Sequence, residues 1–139
     1  MHVELKRLDD AFHFEAKDEE GHSIHYDGSL KIGGKNKGIS PMKSLLMAIG
    51  SCSAIDIVLI LKKQKQEITD FWISIDGERE KDKTPALWET INVHFKLKGK
   101  IEKEKAERAV QLSMEKYCSV SQTLEKAGAK VTYSVSINE

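Results

Sequence analysis

Cysteine, proline, arginine and aromatic side chains are all scarce in this 139-residue chain, and neither sign of charge is in excess. Two cysteines are too few for a disulfide scaffold and cannot complete a zinc site by themselves. Lys plus Arg and Asp plus Glu balance at 22 each, so no basic field favours nucleic acid or an anionic membrane. Arginine occurs only at Arg7, Arg79 and Arg108. The start, Met1-His2-Val3-Glu4-Leu5-Lys6, lacks the apolar run of a signal peptide. That sets the expectation of a reducing cytoplasm, where a cysteine pair cycles rather than staying oxidised. A phosphate loop is excluded too, because Gly33-Gly34-Lys35 runs into Asn36 rather than Ser or Thr.

What is present is the composition of an ordinary globule, 40% apolar and 32% charged, at a length that suits one domain over 1–139. Alternating segments at Val3–Leu8, Ala11–Lys17 and Ser23–Tyr26, with turns at Asp9-Asp10 and Glu19-Glu20-Gly21, predict a small antiparallel meander. The Gly- and Lys-rich stretch from Gly28 to Ile39 reads as a mobile surface segment, or one that orders on contact. Ser40-Pro41 then opens a helix, Ser as N-cap and Pro at the first position. Apolar residues occupy nearly every side of it from Leu45 to Leu61, until Lys62-Lys63 marks its end. At that length the apolar run falls short of the ~20 residues a membrane span needs, so a core helix is expected. A helix apolar all round must be enclosed on all sides, and so short a chain can hardly do that alone; a partner subunit is implied.

Two strands follow. Phe71, Ile73 and Ile75 alternate with Trp72, Ser74 and Asp76. Leu87, Ile91, Val93, Phe95 and Leu97 alternate with Trp88, Thr90, Asn92, His94 and Lys96, which predicts a half-solvated antiparallel sheet. Glu102–Lys116 is amphipathic, with Ala106, Ala109, Val110, Ser113 and Tyr117 on one stripe. A short helix runs from Cys118 to Lys126 and stops at Gly128, and Val131–Ile137 alternates as a last strand. The order βββ-α-ββ-α-α-β makes an α+β fold.

Chemistry in this chain centres on the thiols. Ser119 and Gln122 have capping-box spacing, so Cys118 is expected just before a helix N-terminus, where free N–H groups and the helix dipole favour a thiolate. Cys52 lies deep in the apolar helix, where burial raises a thiol pKa, and Asp56 on the same face would raise it further. Two readings stand: a reacting cysteine with its resolving partner, or two small buried residues. His22 and His25 point to opposite faces of a strand and cannot share a metal. His13 and His94 read as surface or cross-strand residues. Trp72, Trp88 and Tyr117 suit packing better than a pocket lining. No metal or cofactor is called for.

The element order, the helix opened by Ser40-Pro41-Met42, Gly50-Ser51-Cys52-Ser53-Ala54-Ile55-Asp56 inside it, and Tyr117-Cys118-Ser119-Val120 after the second helix together resemble the OsmC/Ohr family. The likeness is closest to its YhfA-like branch and covers essentially the whole chain. The resemblance implies an intertwined homodimer whose sheets wrap two central helices. It also implies a thiol-dependent peroxidase acting on a small apolar hydroperoxide, with Cys52 attacking, Cys118 resolving and an external thiol as reductant. The peroxidase members hold the thiolate with an N-terminal arginine, oriented by a glutamate just after the helix-opening proline. Here Met42-Lys43 follows Pro41, and no arginine lies between Leu8 and Gly50. Arg79, or a lysine of the Gly28–Ile39 segment, is the substitute the sequence offers. The alternative implied by that gap is a non-catalytic dimer that binds a small apolar ligand.

Overall fold

The computed structural model describes residues 1–139 as two compact units, Met1–Leu45 and Leu46–Glu139. The elements are β1 (Val3–Arg7), β2 (Phe14–Asp18), β3 (Ser23–Tyr26), α1 (Pro41–Lys63), β4 (Glu67–Arg79), β5 (Trp88–Lys100), α2 (Lys103–Leu112), α3 (Ser119–Lys126) and β6 (Lys130–Ile137). This is the α+β order that the alternation and capping residues predict.

In the first unit β1, β2 and β3 form an antiparallel meander. Its turns are tied by aspartates, as short polar side chains favour. Asp9 Oδ1 accepts from the N–H groups of Ala11 and His13, and Asp18 Oδ1 from those of Glu20 and His22. The segment after β3 differs from the expectation of a mobile loop. A 3-10 turn forms at Leu30–Ile32, and the loop is pinned by the buried Asp27. Its carboxylate accepts from the N–H groups of Gly28 at 2.7 Å, Lys35 at 3.2 Å and Lys37 at 3.0 Å. Those N–H donors, Lys37 first, hold the Asp27 carboxyl below its ordinary pKa against the opposing effect of burial. The loop closes on itself so tightly that a Cβ at Gly34 would lie 1.8 Å from the Gly28 carbonyl oxygen.

Helix α1 begins as predicted. Ser40 Oγ accepts from the Lys43 N–H at 3.3 Å, and Lys62 and Lys63 occupy the last turn, where cations suit the helix dipole. It is longer than its apolar run: at 23 residues, with an 18-residue stretch of mean hydropathy 2.2, it is long and apolar enough to cross a membrane by length and composition. Ile49, Gly50, Ser53, Ile57 and Leu61 are buried. Met47, Val58, Leu59 and Ile55, the last 69% exposed, are not. The chain alone therefore leaves part of an apolar helix uncovered.

In the second unit β4 and β5 pair antiparallel, with Phe71 opposite Leu97, Ile73 opposite Phe95 and Ile75 opposite Val93. Strand β6 adds beside β5 in parallel, so the sheet is mixed rather than wholly antiparallel. Helices α2 and α3 form the crossover that a parallel connection needs. Ile91, Val93, Phe95 and Leu97 are fully buried, as are Ala106 and Ala109 of α2. Each large apolar side chain so enclosed contributes about 1.5–3 kcal/mol. Helix α1 approaches β4 at Gly50, where a Cβ would lie 2.7 Å from Ile75 Cδ1.

Two details depart from simple periodicity. A register shift between Glu78 and Arg79 pairs Thr90 with Glu78 but Trp88 with Arg79, leaving Glu89 as a bulge. The extra residue reverses the faces, so Trp88 is buried and Leu87 is 43% exposed, opposite to the expected alternation. Then α2 widens into a π-helical turn at Ser113–Tyr117. The longer turn carries Met114 inward and leaves Tyr117 51% exposed, where a continuous α-helix would place Tyr117 on the buried stripe.

Candidate active site

The π-helical turn ends where the Cys118 N–H donates to the Ser113 carbonyl at 2.7 Å. Such turns cluster at functional sites. Cys118 is itself the N-cap of α3, and its Sγ accepts from the Ser121 N–H at 3.4 Å. Ser119, expected as the cap, is the first helical residue. Cys118 is fully buried, with Sγ 4.0 Å from the Ile49 carbonyl of α1.

Burial overrides the helix terminus. It pushes the Cys118 thiol up to about 12, against the Ser121 N–H that favours thiolate, and hydrogen bonding with Cys52 and the Asp56 carboxylate raise it further. The sequence expectation that Cys118 tends toward thiolate is therefore corrected: it is a protonated thiol. Both cysteines are free thiols, and Cys52 is only partly buried, not sealed in a core as its surroundings in the sequence implied. Cys52 Sγ lies 4.0 Å from Ser119 Oγ.

Below the thiols sits a polar brace that sequence reading missed. Ser113, fully buried, has its Oγ 3.2 Å from the Ser53 carbonyl and 3.1 Å from Asp56 Oδ2, donating toward both. Asp56 is thus partnered, not a free charge beside Cys52. The signal was available only as a polar residue on an apolar stripe.

None of the arginines serves the thiols. Arg7 donates to the carbonyls of Ala11 and Asp10. Arg79 donates twice to the Ala86 carbonyl and lies 5.9 Å from the Trp88 ring. Arg108 donates to Gln111 at 2.8 Å. Among the loop lysines, Lys35 pairs with Asp10 at 3.4 Å.

The histidines fall elsewhere. His94 bridges Ser134 and Ser136 across β5 and β6 at 2.8 and 3.1 Å, the cross-strand role expected. His25 and His13 meet at 2.7 Å, and His25 also faces Glu15 at 3.4 Å. His22 and Asp18 bind each other at 2.9 Å, with Glu20 nearby. That exposed trio is close enough for a cation, but Asp18 is occupied in tying its own turn. Trp72 and Tyr117 lie on the surface beside Lys98 and Lys116 at 5.6 and 5.3 Å.

A mixed sheet backed by helices, with one thiol on a long apolar helix and a second capping a helix against it, defines a two-cysteine α+β class. The chain belongs to the OsmC-like family: residues 34–134 match the family described as OsmC-like protein. It is 42% identical over 125 residues to Protein YhfA of Escherichia coli strain K12, covering 89% of each chain. A solved structure of a hypothetical protein from Aquifex aeolicus VF5 is similar at 37% identity and a TM-score of 0.80, over 99% of this chain and 97% of that one. An organic hydroperoxide resistance protein from Elizabethkingia anophelis shares the fold at 15% identity and a TM-score of 0.73, covering 99% and 97%.

Proposed function

We propose that this protein is a thiol-dependent reductase of small apolar organic hydroperoxides, with Cys52 as attacking and Cys118 as resolving cysteine. One observation carries the reading: both thiols face the contact between α1 and α3, Cys52 Sγ 4.0 Å from Ser119 Oγ and Cys118 Sγ 4.0 Å from the Ile49 carbonyl, Cys52 partly buried and Cys118 fully buried. That asymmetry suits division of labour. The Cys52 thiolate attacks the terminal peroxide oxygen, the O–O bond breaks, and the alkoxide leaves as the alcohol with one proton; Cys52 becomes a sulfenic acid. Cys118 then attacks the Cys52 sulfur, and the sulfenic hydroxyl leaves as water with the Cys118 proton. Two equivalents of an external thiol reduce the disulfide and are themselves oxidised to a disulfide. The protonated state of buried Cys118 keeps it from competing for peroxide, since the thiolate is the nucleophile. A reducing cytoplasm supplies the thiol this cycle consumes.

The uncovered apolar residues of α1 support a homodimer in which a second copy covers them. A second reading has its own support. The first unit holds an apolar cavity of about 560 Å³ lined by Leu5, Phe12, Phe14, Tyr26, Ile32 and Pro41, and no cation touches the thiols; both suit a non-catalytic dimer binding a small apolar ligand.

Turnover of tert-butyl hydroperoxide with a dithiol reductant separates the two. Wild type is expected to turn over. Cys52→Ser should abolish activity, and Cys118→Ser should stop at a trappable sulfenic acid on Cys52. Turnover that survives Cys52→Ser would overturn the role of Cys52, and no turnover with any hydroperoxide would leave the ligand-binding reading.

A further inference from the structure

A reacting thiol needs its thiolate stabilised, and a nearby cation is the usual means. Within this chain no arginine serves Cys52, since all three are engaged elsewhere, and Asp56 on the same face of α1 is held by the Ser113 hydroxyl. The helix terminus does not help either, because Cys52 is twelve residues beyond Ser40 and the dipole acts only within the first turn. What meets the sulfur comes from across the groove, from the first turn of α3.

We propose that Ser119 is a catalytic residue, its hydroxyl donating to the Cys52 sulfur, and that α3 holds the Cys52 thiolate by neutral donors in place of a cation. Ser119 Oγ stands 4.0 Å from Cys52 Sγ, close enough for a hydrogen bond to sulfur. The serines flanking Cys52 are not available for this. Ser51 Oγ donates to the Ala48 carbonyl at 3.1 Å, and Ser53 Oγ to those of Ile49 and Gly50 at 2.7 and 3.1 Å. Ser119 Oγ has no other hydrogen-bond partner. It is also the first residue of α3, where the positive end of the helix favours a facing anion. Cys118, just before that terminus, directs its S–H to the Ile49 carbonyl of α1, 4.0 Å from its Sγ. The charged and titratable groups around Cys52 are therefore Asp56 on its own helix and Cys118 before α3, and the countering dipoles are Ser119 O–H and the α3 terminus. The same hydroxyl suits the next species too, since the oxygen of a sulfenate on Cys52 accepts from a neutral O–H donor.

The inference rests on Cys52 being the attacking thiol, yet its test requires no peroxide. The pH dependence of Cys52 alkylation by iodoacetamide is measured on the Cys118→Ser protein, in which Cys52 is the only thiol, and again with Ser119→Ala or Ser119→Thr added. Loss of a hydrogen bond to a charged group should raise the alkylation midpoint by about one pH unit, a tenfold loss of thiolate. Thr, which keeps the hydroxyl, should restore it. The midpoint should also be nearly unchanged between low and high salt, since neutral donors are not screened as an exposed ion pair is. An unmoved midpoint in Ser119→Ala, an equal rise in Ser119→Thr, or a strong salt dependence would overturn the assignment. A normal Ser119 effect in a protein without peroxide turnover would instead retire the peroxidase reading, and with it the catalytic role, while leaving Ser119 as the donor to Cys52.

Discussion

At the scale of single residues, Cys118 shows two opposing effects and which one wins. A thiol at a helix cap gains from the dipole by less than ~2 kcal/mol, whereas full burial in apolar surroundings shifts a group by up to several pKa units. Burial prevails and the thiol rises from 9.0 to about 12. The linkage follows from that direction. A protonated thiol bound more tightly in the folded state stabilises it fully below pH ~9, and the contribution is lost as pH rises through about 12. Tyr133, raised to about 12 by burial and by its hydrogen bond to Glu115, acts in the same direction. Urea unfolding at pH 7 and pH 10.5 should show wild type losing stability, and Cys118→Ala should lose less over the same interval. Equal losses in both proteins would contradict the burial argument. The position of Cys118 at a helix start was legible in its sequence context. Its burial stood there only as one of two readings, because the atoms that cover it belong to α1, dozens of residues away.

At the scale of elements, strong local signals survived and long-range ones did not. The Ser40-Pro41 start, the Lys62-Lys63 end, the α3 stop near Gly128 and the β6 alternation all depend on neighbours in the chain. The bulge at Glu89, the π-helical turn before Cys118 and the parallel docking of β6 depend on what packs across from them. Each therefore escaped a reading by period alone. The Gly28–Ile39 segment is the sharpest case, since its composition suggested mobility while one aspartate just outside it supplies the anchor. The Asp27 carboxylate, with its pKa lowered, stabilises the loop above pH 3.8 and releases it as pH falls through the lower folded value. Asp27→Ala should therefore speed amide exchange at Gly28, Lys35 and Lys37 while leaving β4 and β5 protected. Unchanged exchange at Lys35 and Lys37 would show that the loop is held by something else.

At the scale of the whole molecule, the apolar helix that this chain leaves partly uncovered was legible from its lack of a polar face. The residues left open by the fold, Ile55 above all, are where a second copy is expected. Sedimentation of the wild type should give a dimer, and Ile55→Glu, which places a charge on that surface, should shift it toward monomer. A monomeric wild type would contradict the dimer, and a variant that still dimerises would locate the contact elsewhere. A reacting and resolving pair of thiols stood in the sequence as one of two readings, and the approach of Ser119 to Cys52 was not visible there.

The central claim is that Cys52 and Cys118 form one redox unit, and peptide mapping under non-reducing conditions tests it most directly. After one equivalent of tert-butyl hydroperoxide, the account predicts a Cys52–Cys118 disulfide within one chain, reversed by dithiol and absent from Cys52→Ser. Two thiols still free after peroxide, or an over-oxidised Cys52 with Cys118 untouched, would contradict it.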